Sequence, residues 1–328
     1  MNRLIHYGSV ESIPYYNCSG KSTEEWNATG LSRPLLGWPI LIFGIFIELL
    51  YIPIIYIIFK TRLIRHPCYV IIVTLACVDM NAIVTSCIIT GFLLIYGAVF
   101  CSFPTFIYIV GFTALATWCI ACSTTVALFL NRVISIAFQH YSDVIEKKLA
   151  YSSIVLCFIY GIYALIFAPT VCYNSAIMAW LGDPLVIEPQ YQTEEVMESY
   201  RNPIFVWNNF MFVLSMITLS TVYILLVKRL SKGQKSKASK AIFIQCSIIC
   251  FFNTTTAMIY NAMKFVTPAP WILVFCQLAW SINHGCPALI YITLNDTIRK
   301  EFRRMMFGDV KKISISATNV GSATASRI

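Results

Sequence analysis

The amino-acid sequence predicts an all-α membrane protein: a bundle of seven transmembrane helices, with the N-terminus outside and a short amphipathic helix after the seventh. Three observations lead to this class. Of the 328 residues, 58% are hydrophobic and only 12% are charged, and the mean hydropathy is +0.71, more apolar surface than a soluble globule can cover. Seven long apolar runs follow one another, and the cationic residues gather on alternate connections between them.

The apolar runs, in chain order, cover residues 35–59, 68–92, 104–131, 149–171, 204–228, 240–262 and 271–294. Each is long enough for a helix across a hydrocarbon core of ~30 Å, which takes ~20 residues. Helices are expected because lipid offers the backbone no hydrogen-bond partners, and the short alternating strands of a membrane barrel are not seen. We therefore expect a seven-transmembrane domain over residues 35–295.

The composition of the remaining segments differs from that of the bundle. Residues 1–34 are polar and contain no continuous apolar core, so no signal peptide is expected and the segment is predicted to be extracellular. Residues 296–307 place Ile298 and Phe302 at helical spacing among cations, which predicts an amphipathic helix on the inner membrane surface. Residues 308–328 are rich in Ser and Thr and are expected to form a disordered cytoplasmic tail.

The distribution of Lys and Arg predicts the orientation. With the N-terminus outside, nineteen of the 24 cationic residues lie on the cytoplasmic side, which is the positive-inside pattern. The net charge of +9 then reflects topology and contact with anionic membrane lipid, and nucleic acid is not an expected partner. Two glycosylation sequons, at Asn17 and Asn27, lie in the N-terminal segment and are useful only outside the cytoplasm. We expect a multi-pass plasma-membrane protein.

Three of the thirteen cysteines lie at or near the predicted outer face: Cys18, Cys101 and Cys172. That side is oxidising, so a disulfide is expected. Cys101 directly precedes the third run and is the common partner in two pairings. Cys18–Cys101 would tie the N-terminal segment over the bundle, and Cys101–Cys172 would join the third and fourth helices. Both stay open, and the first is preferred. No Cys/His cluster has zinc spacing, so no metal site is expected.

Two acids interrupt the apolar runs, Glu48 in the first and Asp79 in the second. An intramembrane carboxylate costs ~2.5–3.5 kcal/mol on insertion scales, so both need partners. Each lies 11 residues from the cytoplasmic end of its run, or ~16 Å at the rise of a helix. Asn283 and neighbouring His284 fall at the same depth in the seventh run. We expect the four side chains to meet in a polar layer. The preferred interpretation is that this layer changes its state when it senses a cation or a proton. The alternative is that it only fixes helix packing.

Ligand pockets of helix bundles open between helices and combine aromatic with a few polar side chains. The outer halves of the predicted helices contain six candidates of this kind: Tyr108, Trp118, Trp207, Asn208, Tyr260 and Trp280. The same halves contain no acid, which disfavours a ligand that needs an intramembrane counter-ion. The sequence therefore predicts a pocket for a small molecule in the outer half of the bundle.

Several stretches between residues 14 and 305 form a recognisable set. They are "YNCS" at 16–19, "RPLLG" at 33–37, "ELLYIP" at 48–53, "TGFLLIYGAVFC" at 90–101, "LNR" at 130–132, "IQCSIICFFN" at 244–253 and "SINHGCPALIYITLNDTIRKEF" at 281–302. Together they resemble the nematode serpentine chemoreceptors of class T, which are G-protein-coupled receptors. The resemblance implies a chemosensory receptor for a small-molecule ligand, coupled to a heterotrimeric G protein and with sensory cilia as a candidate location.

The resemblance also implies roles for individual residues. Asn131 and Arg132 occupy the inner end of the third helix, where many receptors have an acid and an Arg that take part in G-protein coupling. Because Asn131 is neutral, Asp143 or Glu146 is the candidate acid partner of Arg132. In the wider superfamily, the Leu-x-x-x-Asp spacing that ends here at Asp79 often belongs to a sodium-linked switch. A sodium ion near Asp79 is therefore the one cofactor considered.

Other functional classes receive less support. No Ser/His/Asp, metal-ligand or phosphate-loop pattern stands out, so an enzyme is not expected. A ligand-gated ion channel or transporter that uses the intramembrane acids is the main alternative, because such acids also mark ion pathways. No internal repeat is apparent, which argues against the inverted repeats of many transporters.

Overall fold

The computed structural model describes residues 1–138, 143–188, 193–230, 237–262 and 269–308. The tail predicted to be disordered, apart from Gly308, lies outside the described residues, as does the side chain of Asp143.

The described helices form one bundle with a cap at its outer end. Two short helices, α1 (Asn2–Tyr7) and α2 (Thr23–Thr29), come first. The bundle contains α3 (Pro34–Lys60), α4 (Pro67–Ile83) continued by α5 (Thr90–Tyr96), α6 (Pro104–Ala137), α7 (Asp143–Phe167), α9 (Pro203–Leu230), α10 (Lys237–Ala262) and α11 (Pro270–Leu294). Helix α8 (Glu194–Ser199) precedes α9, and α12 (Asp296–Phe307) follows the bundle.

The sequence explains where the spanning helices begin. Five of them, α3, α4, α6, α9 and α11, start with a proline, whose fixed φ and missing N–H suit the first helical position. Six described segments are long and apolar enough to cross a membrane, and the apolar part of α10, Ser247–Tyr260, is shorter. These helices occupy the seven places of the predicted bundle.

Four predicted boundaries differ from the structure by four residues or more: the second spanning segment ends at Tyr96, α7 begins at Asp143, and the ends of α6 and α7 are also displaced. Helix α6 continues to Ala137, beyond the apolar run that ends at 131, because its last turns lie at the cytoplasmic end, where polar residues are tolerated. Helix α7 ends at Phe167 and not at 171. Pro169 explains this earlier end, because the residue before a proline avoids the helical conformation.

A π-helical turn over Val84–Ile89 separates α4 from α5. It leaves the main-chain oxygen of Ser86 free to accept hydrogen bonds from Gln277 Nε2 at 2.9 Å and from Ser281 Oγ at 3.1 Å, both on α11. The apolar run contains no sign of this turn. Such turns often mark functional sites in helices, and here the turn joins the second and seventh spanning helices.

A β-hairpin and the N-terminal segment close the outer end. Strands β1 (Cys172–Asn174) and β2 (Ala179–Leu181) pair antiparallel, with Tyr173 opposite Trp180. The hairpin approaches α6 closely at Gly111, where a Cβ atom would lie only 1.7 Å from the main-chain oxygen of Val171. Only glycine fits there, so Gly111 sets how deep the chain before the hairpin lies.

The disulfide in the outer cap joins Cys18 to Cys101, with the Cα atoms 5.6 Å apart. This confirms the preferred pairing, and Cys172 is a buried free thiol. The disulfide holds the N-terminal segment against the bundle, where Tyr16 is buried and contacts the ring of Tyr108 edge-on at 5.3 Å.

The two sequons differ in accessibility. Asn17 is exposed in a loop, whereas Asn27 is half-buried in α2 and its Oδ1 atom is buried. Asn17 is therefore the more exposed of the two sequon asparagines.

Candidate functional site

Asp79 lies inside the bundle and is only 3% exposed. Its Oδ1 atom is 2.7 Å from Nδ1 of His284 on α11. The hydroxyl of Tyr51, on α3, is 3.1 Å from Asp79 Oδ2 and 2.8 Å from the main-chain oxygen of His284. The intramembrane acid is thus fully engaged by two neighbouring helices. Tyr51, which the sequence analysis missed because it is neutral, completes this Asp79–His284–Tyr51 cluster.

The other two members of the predicted polar layer lie elsewhere. The Nδ2 atom of Asn283 donates to Asn253 Oδ1 on α10 at 3.1 Å. Successive residues of a helix point about 100° apart, so Asn283 and His284 cannot both face Asp79. Glu48 is half-buried on α3, and no described residue hydrogen-bonds its Oε1 atom. Glu48 was expected beside Asp79 because the two lie at equal depth in the membrane. The rotation of α3 about its axis instead points Tyr51 into the bundle and leaves Glu48 outside the cluster.

The contacts of Asp79 determine how much of its carboxylate a sodium ion could reach. Both Asp79 oxygens already contact protein groups, so an ion would compete with the imidazole and the phenol for the carboxylate. Among the residues that the structure describes, no group of three or more His, Cys, Asp and Glu side chains could hold a metal.

A cavity of about 50 Å³ lies in the outer half of the bundle. Its walls are apolar and mostly aromatic: Ala114, Leu115, Trp118, Val171, Trp180, Phe205, Tyr260 and Trp280. Three of the six predicted ligand residues, Trp118, Tyr260 and Trp280, meet here from three different helices. We call this space the inner cavity.

A larger chamber of about 350 Å³ lies next to the inner cavity, beneath the hairpin. The two spaces share four lining residues: Val171, Trp180, Phe205 and Tyr260. Trp180 forms part of the roof and donates from Nε1 to Thr90 Oγ1 at 2.9 Å. No helical pattern in the sequence points to Trp180, because its position depends on the fold of the hairpin.

Trp118 connects the inner cavity to the buried acid. Its ring contacts the His284 ring edge-on, with centroids 5.9 Å apart, and its Nε1 atom donates to Asn209 Oδ1 at 2.7 Å. The same indole therefore lines the cavity and contacts the partner of Asp79. Asn209 was also missed, although it directly follows the predicted Asn208.

Three predicted ligand residues lie away from the inner cavity. Tyr108 is 2% exposed and packs against the N-terminal segment. Trp207 is 62% exposed on the outer side of α9, and Asn208 accepts a hydrogen bond from the Tyr160 hydroxyl at 3.1 Å. Trp207 and Asn208 do not line the inner cavity, because α9 is rotated so that Asn209, and not its two predecessors, faces Trp118.

At the cytoplasmic end, Asn131 and Arg132 contact one acid. Glu146, at the start of α7, accepts a hydrogen bond from Asn131 Nδ2 at 3.3 Å and lies 3.5 Å from an Arg132 guanidinium nitrogen. Arg132 also donates to Asn131 Oδ1. Of the two acids that the sequence offered, Glu146 thus contacts both residues and joins the inner ends of α6 and α7.

Comparison with known proteins agrees with this architecture. A solved structure of squid rhodopsin superimposes with a TM-score of 0.65 at 13% identity, over 86% of this chain and 88% of that chain. At this identity the likeness shows the fold, the seven-helix fold of G-protein-coupled receptors. A Caenorhabditis elegans protein named "Serpentine receptor class T-55" is 28% identical over 336 aligned residues, covering 95% of this chain and 86% of that protein.

A sequence family described as "Serpentine type 7TM GPCR chemoreceptor Srt" matches residues 3–316, nearly the whole chain. Together with the fold, this match supports a multi-pass membrane protein of the receptor class. The chain belongs to the Srt family of serpentine seven-transmembrane G-protein-coupled chemoreceptors.

Proposed function

We propose that this protein is a chemosensory receptor that binds a small, neutral, mostly apolar molecule in the adjoining chamber and the inner cavity together, and activates a heterotrimeric G protein at its cytoplasmic face. The position of Trp118 carries this proposal, because one side chain both lines the cavity and contacts His284. A ligand that displaces the indole acts directly on the partner of Asp79.

The chemistry of the walls supports the ligand class. None of the described residues that line the inner cavity or the adjoining chamber is charged, so a charged ligand would be desolvated without a counter-ion. Indole and phenol rings offer large apolar area together with single polar atoms. These walls favour a neutral ligand with at most one or two hydrogen-bonding groups.

The Asp79–His284–Tyr51 cluster gives the proposed switch its physical form. It joins α4, α11 and α3 through two contacts of the buried carboxylate. A ligand shifts a receptor between states only when it binds one of them more tightly. In the resting state the indole of Trp118 contacts the His284 ring. A ligand that favours another position of the indole weakens this contact.

The experiment is a screen of volatile and water-soluble odorants against the receptor expressed with G protein, with nucleotide exchange as readout. We expect an active compound whose response is abolished by Ala114→Trp, because the added indole fills the inner cavity. Ile162→Trp, a lipid-facing change on α7 where the native residue is 55% exposed, is the matched control and should respond normally. A response that survives Ala114→Trp would contradict the cavity assignment.

A ligand-gated current in cells without G proteins would support the channel or transporter alternative.

Glu146 supplies a separate prediction at the cytoplasmic face. Glu146→Gln is expected to raise ligand-independent nucleotide exchange by up to about 5-fold, because a partly exposed ion pair contributes ~1 kcal/mol or less. The change frees Arg132 from its contact at 3.5 Å. Lys147→Gln, one residue away and exposed, controls for charge at this surface. Unchanged basal exchange at equal surface level would show that Glu146 only packs α6 against α7.

A further inference from the structure

A third cavity lies on the lipid-facing side of the bundle, between α6, α7 and α9, and has a volume of about 370 Å³. We call it the lateral groove. Its walls include Val126, Tyr160, Trp207, Asn208, Met211 and Ser215. Trp207 and Met211 are 62% and 53% exposed. Because α9 is a membrane-spanning helix, this exposure is to lipid, and an occupant of the groove comes from the bilayer.

A polar pair stands in this otherwise lipid-facing wall. The Tyr160 hydroxyl donates to Asn208 Oδ1 at 3.1 Å, and Asn208 Nδ2 donates to Asn209 Oδ1 at 3.3 Å. Polar groups inside a membrane are costly and tend to be functional. The thiols of Cys119 and Cys122 also interact with Tyr160 and Asn208, which leaves the two oxygen atoms of the pair with acceptor lone pairs. The pair can therefore accept a hydrogen bond from one more hydroxyl group.

We propose that the lateral groove binds a neutral membrane lipid with a single hydroxyl head group, of the sterol type. None of the described residues lining the groove is charged, so it has nothing to recognise a phosphate or an ammonium group. The lipid hydroxyl bonds the Tyr160–Asn208 pair, and its apolar body lies along Met211 and Val126. An acyl chain would fill the same volume but would leave the spare hydrogen-bonding capacity of the pair unused.

The groove is connected to the inner cavity by two hydrogen bonds. Asn208 bonds Asn209, whose Oδ1 atom also accepts the Trp118 N–H at 2.7 Å. An occupant that moves Asn208 therefore acts on the indole that lines the inner cavity. This regulatory consequence rests on the proposed function, whereas the binding of the lipid does not.

The test is photolabelling of the purified receptor in phosphatidylcholine nanodiscs with a diazirine analogue of cholesterol, read by mass spectrometry of the labelled peptides. We expect labelling to concentrate on residues 203–216 of α9 and to be displaced by excess cholesterol. Tyr160→Phe should lower labelling about 5-fold, since one hydrogen bond contributes ~1 kcal/mol. Ser215→Trp, which fills the groove, should abolish it.

Leu156→Trp is the control, because Leu156 is a lipid-facing residue of α7 outside the groove, 64% exposed. It should leave labelling unchanged. Labelling spread evenly over the lipid-facing helices, equal labelling by a sterol analogue without the hydroxyl, or unaltered labelling in both groove variants would overturn the proposal. None of these readouts involves an odorant or a G protein, so failure here is distinct from failure of the receptor proposal.

Discussion

His284→Leu is expected to destabilise the receptor by about 3–5 kcal/mol, because removing one partner of a buried acid–base pair leaves the other without compensation. Asp79 is 3% exposed and His284 is fully buried, so water cannot replace the lost contact. The measurement is the unfolding midpoint of the detergent-purified protein. His6→Leu, a change at an exposed histidine of α1, is the control and should leave the midpoint almost unchanged.

The double variant Asp79→Leu/His284→Leu tests whether stability depends on the interaction between the two residues or only on the space that their side chains fill. Replacing both partners of a buried ion pair by apolar residues is often nearly neutral, so the double variant should regain most of the stability lost in His284→Leu. A double variant as unstable as the sum of the two single ones would show that the residues act independently. The coupling free energy of this cycle measures the pair directly.

A substitution in the same pair tests whether the cluster acts as a switch or only as a packing contact. Asp79→Asn keeps a hydrogen-bonding side chain of the same size, so we expect a normal surface level together with a reduced ligand response. Replacing sodium by an organic cation should leave the native receptor unaffected, because protein groups engage both Asp79 oxygens. A normal dose–response curve in Asp79→Asn would leave the cluster with only a structural role.

Cys18→Ser is expected to have the other large effect. The Cys18–Cys101 disulfide closes a loop with a sequence separation of 83, and chain entropy assigns a loop of this size about 4–5 kcal/mol. The unfolding midpoint should fall strongly, and the N-terminal segment should become sensitive to protease.

Cys172→Ala is the matched control for this disulfide, because Cys172 is a buried free thiol. The change removes one sulfur atom from a packed site and should cost much less than opening the loop. Larger destabilisation by Cys172→Ala than by Cys18→Ser would instead point to a Cys101–Cys172 bond in the folded protein. This comparison distinguishes the two pairings that the sequence left open.

The sequence by itself determined the class, the number of helices, the orientation and the level of each polar residue along its helix axis. These properties follow from composition, from run length and from the rise per residue, which is the same in any helix. Asp79 and His284 were placed at one depth on this basis, and they do lie 2.7 Å apart.

The tertiary structure alone decided which side chains face one another. In a soluble protein the apolar stripe of a helix indicates its buried side, but lipid and core are both apolar, so this signal is lost. Helix α3 exposes Leu49 and Ile52 to lipid and buries Ile47 and Ile54, a difference that no pattern of polarity reveals. For the same reason Glu48 lies outside the Asp79 cluster and Trp207 lies outside the inner cavity. Helix rotation depends on packing against neighbouring helices, and only the assembled bundle supplies them.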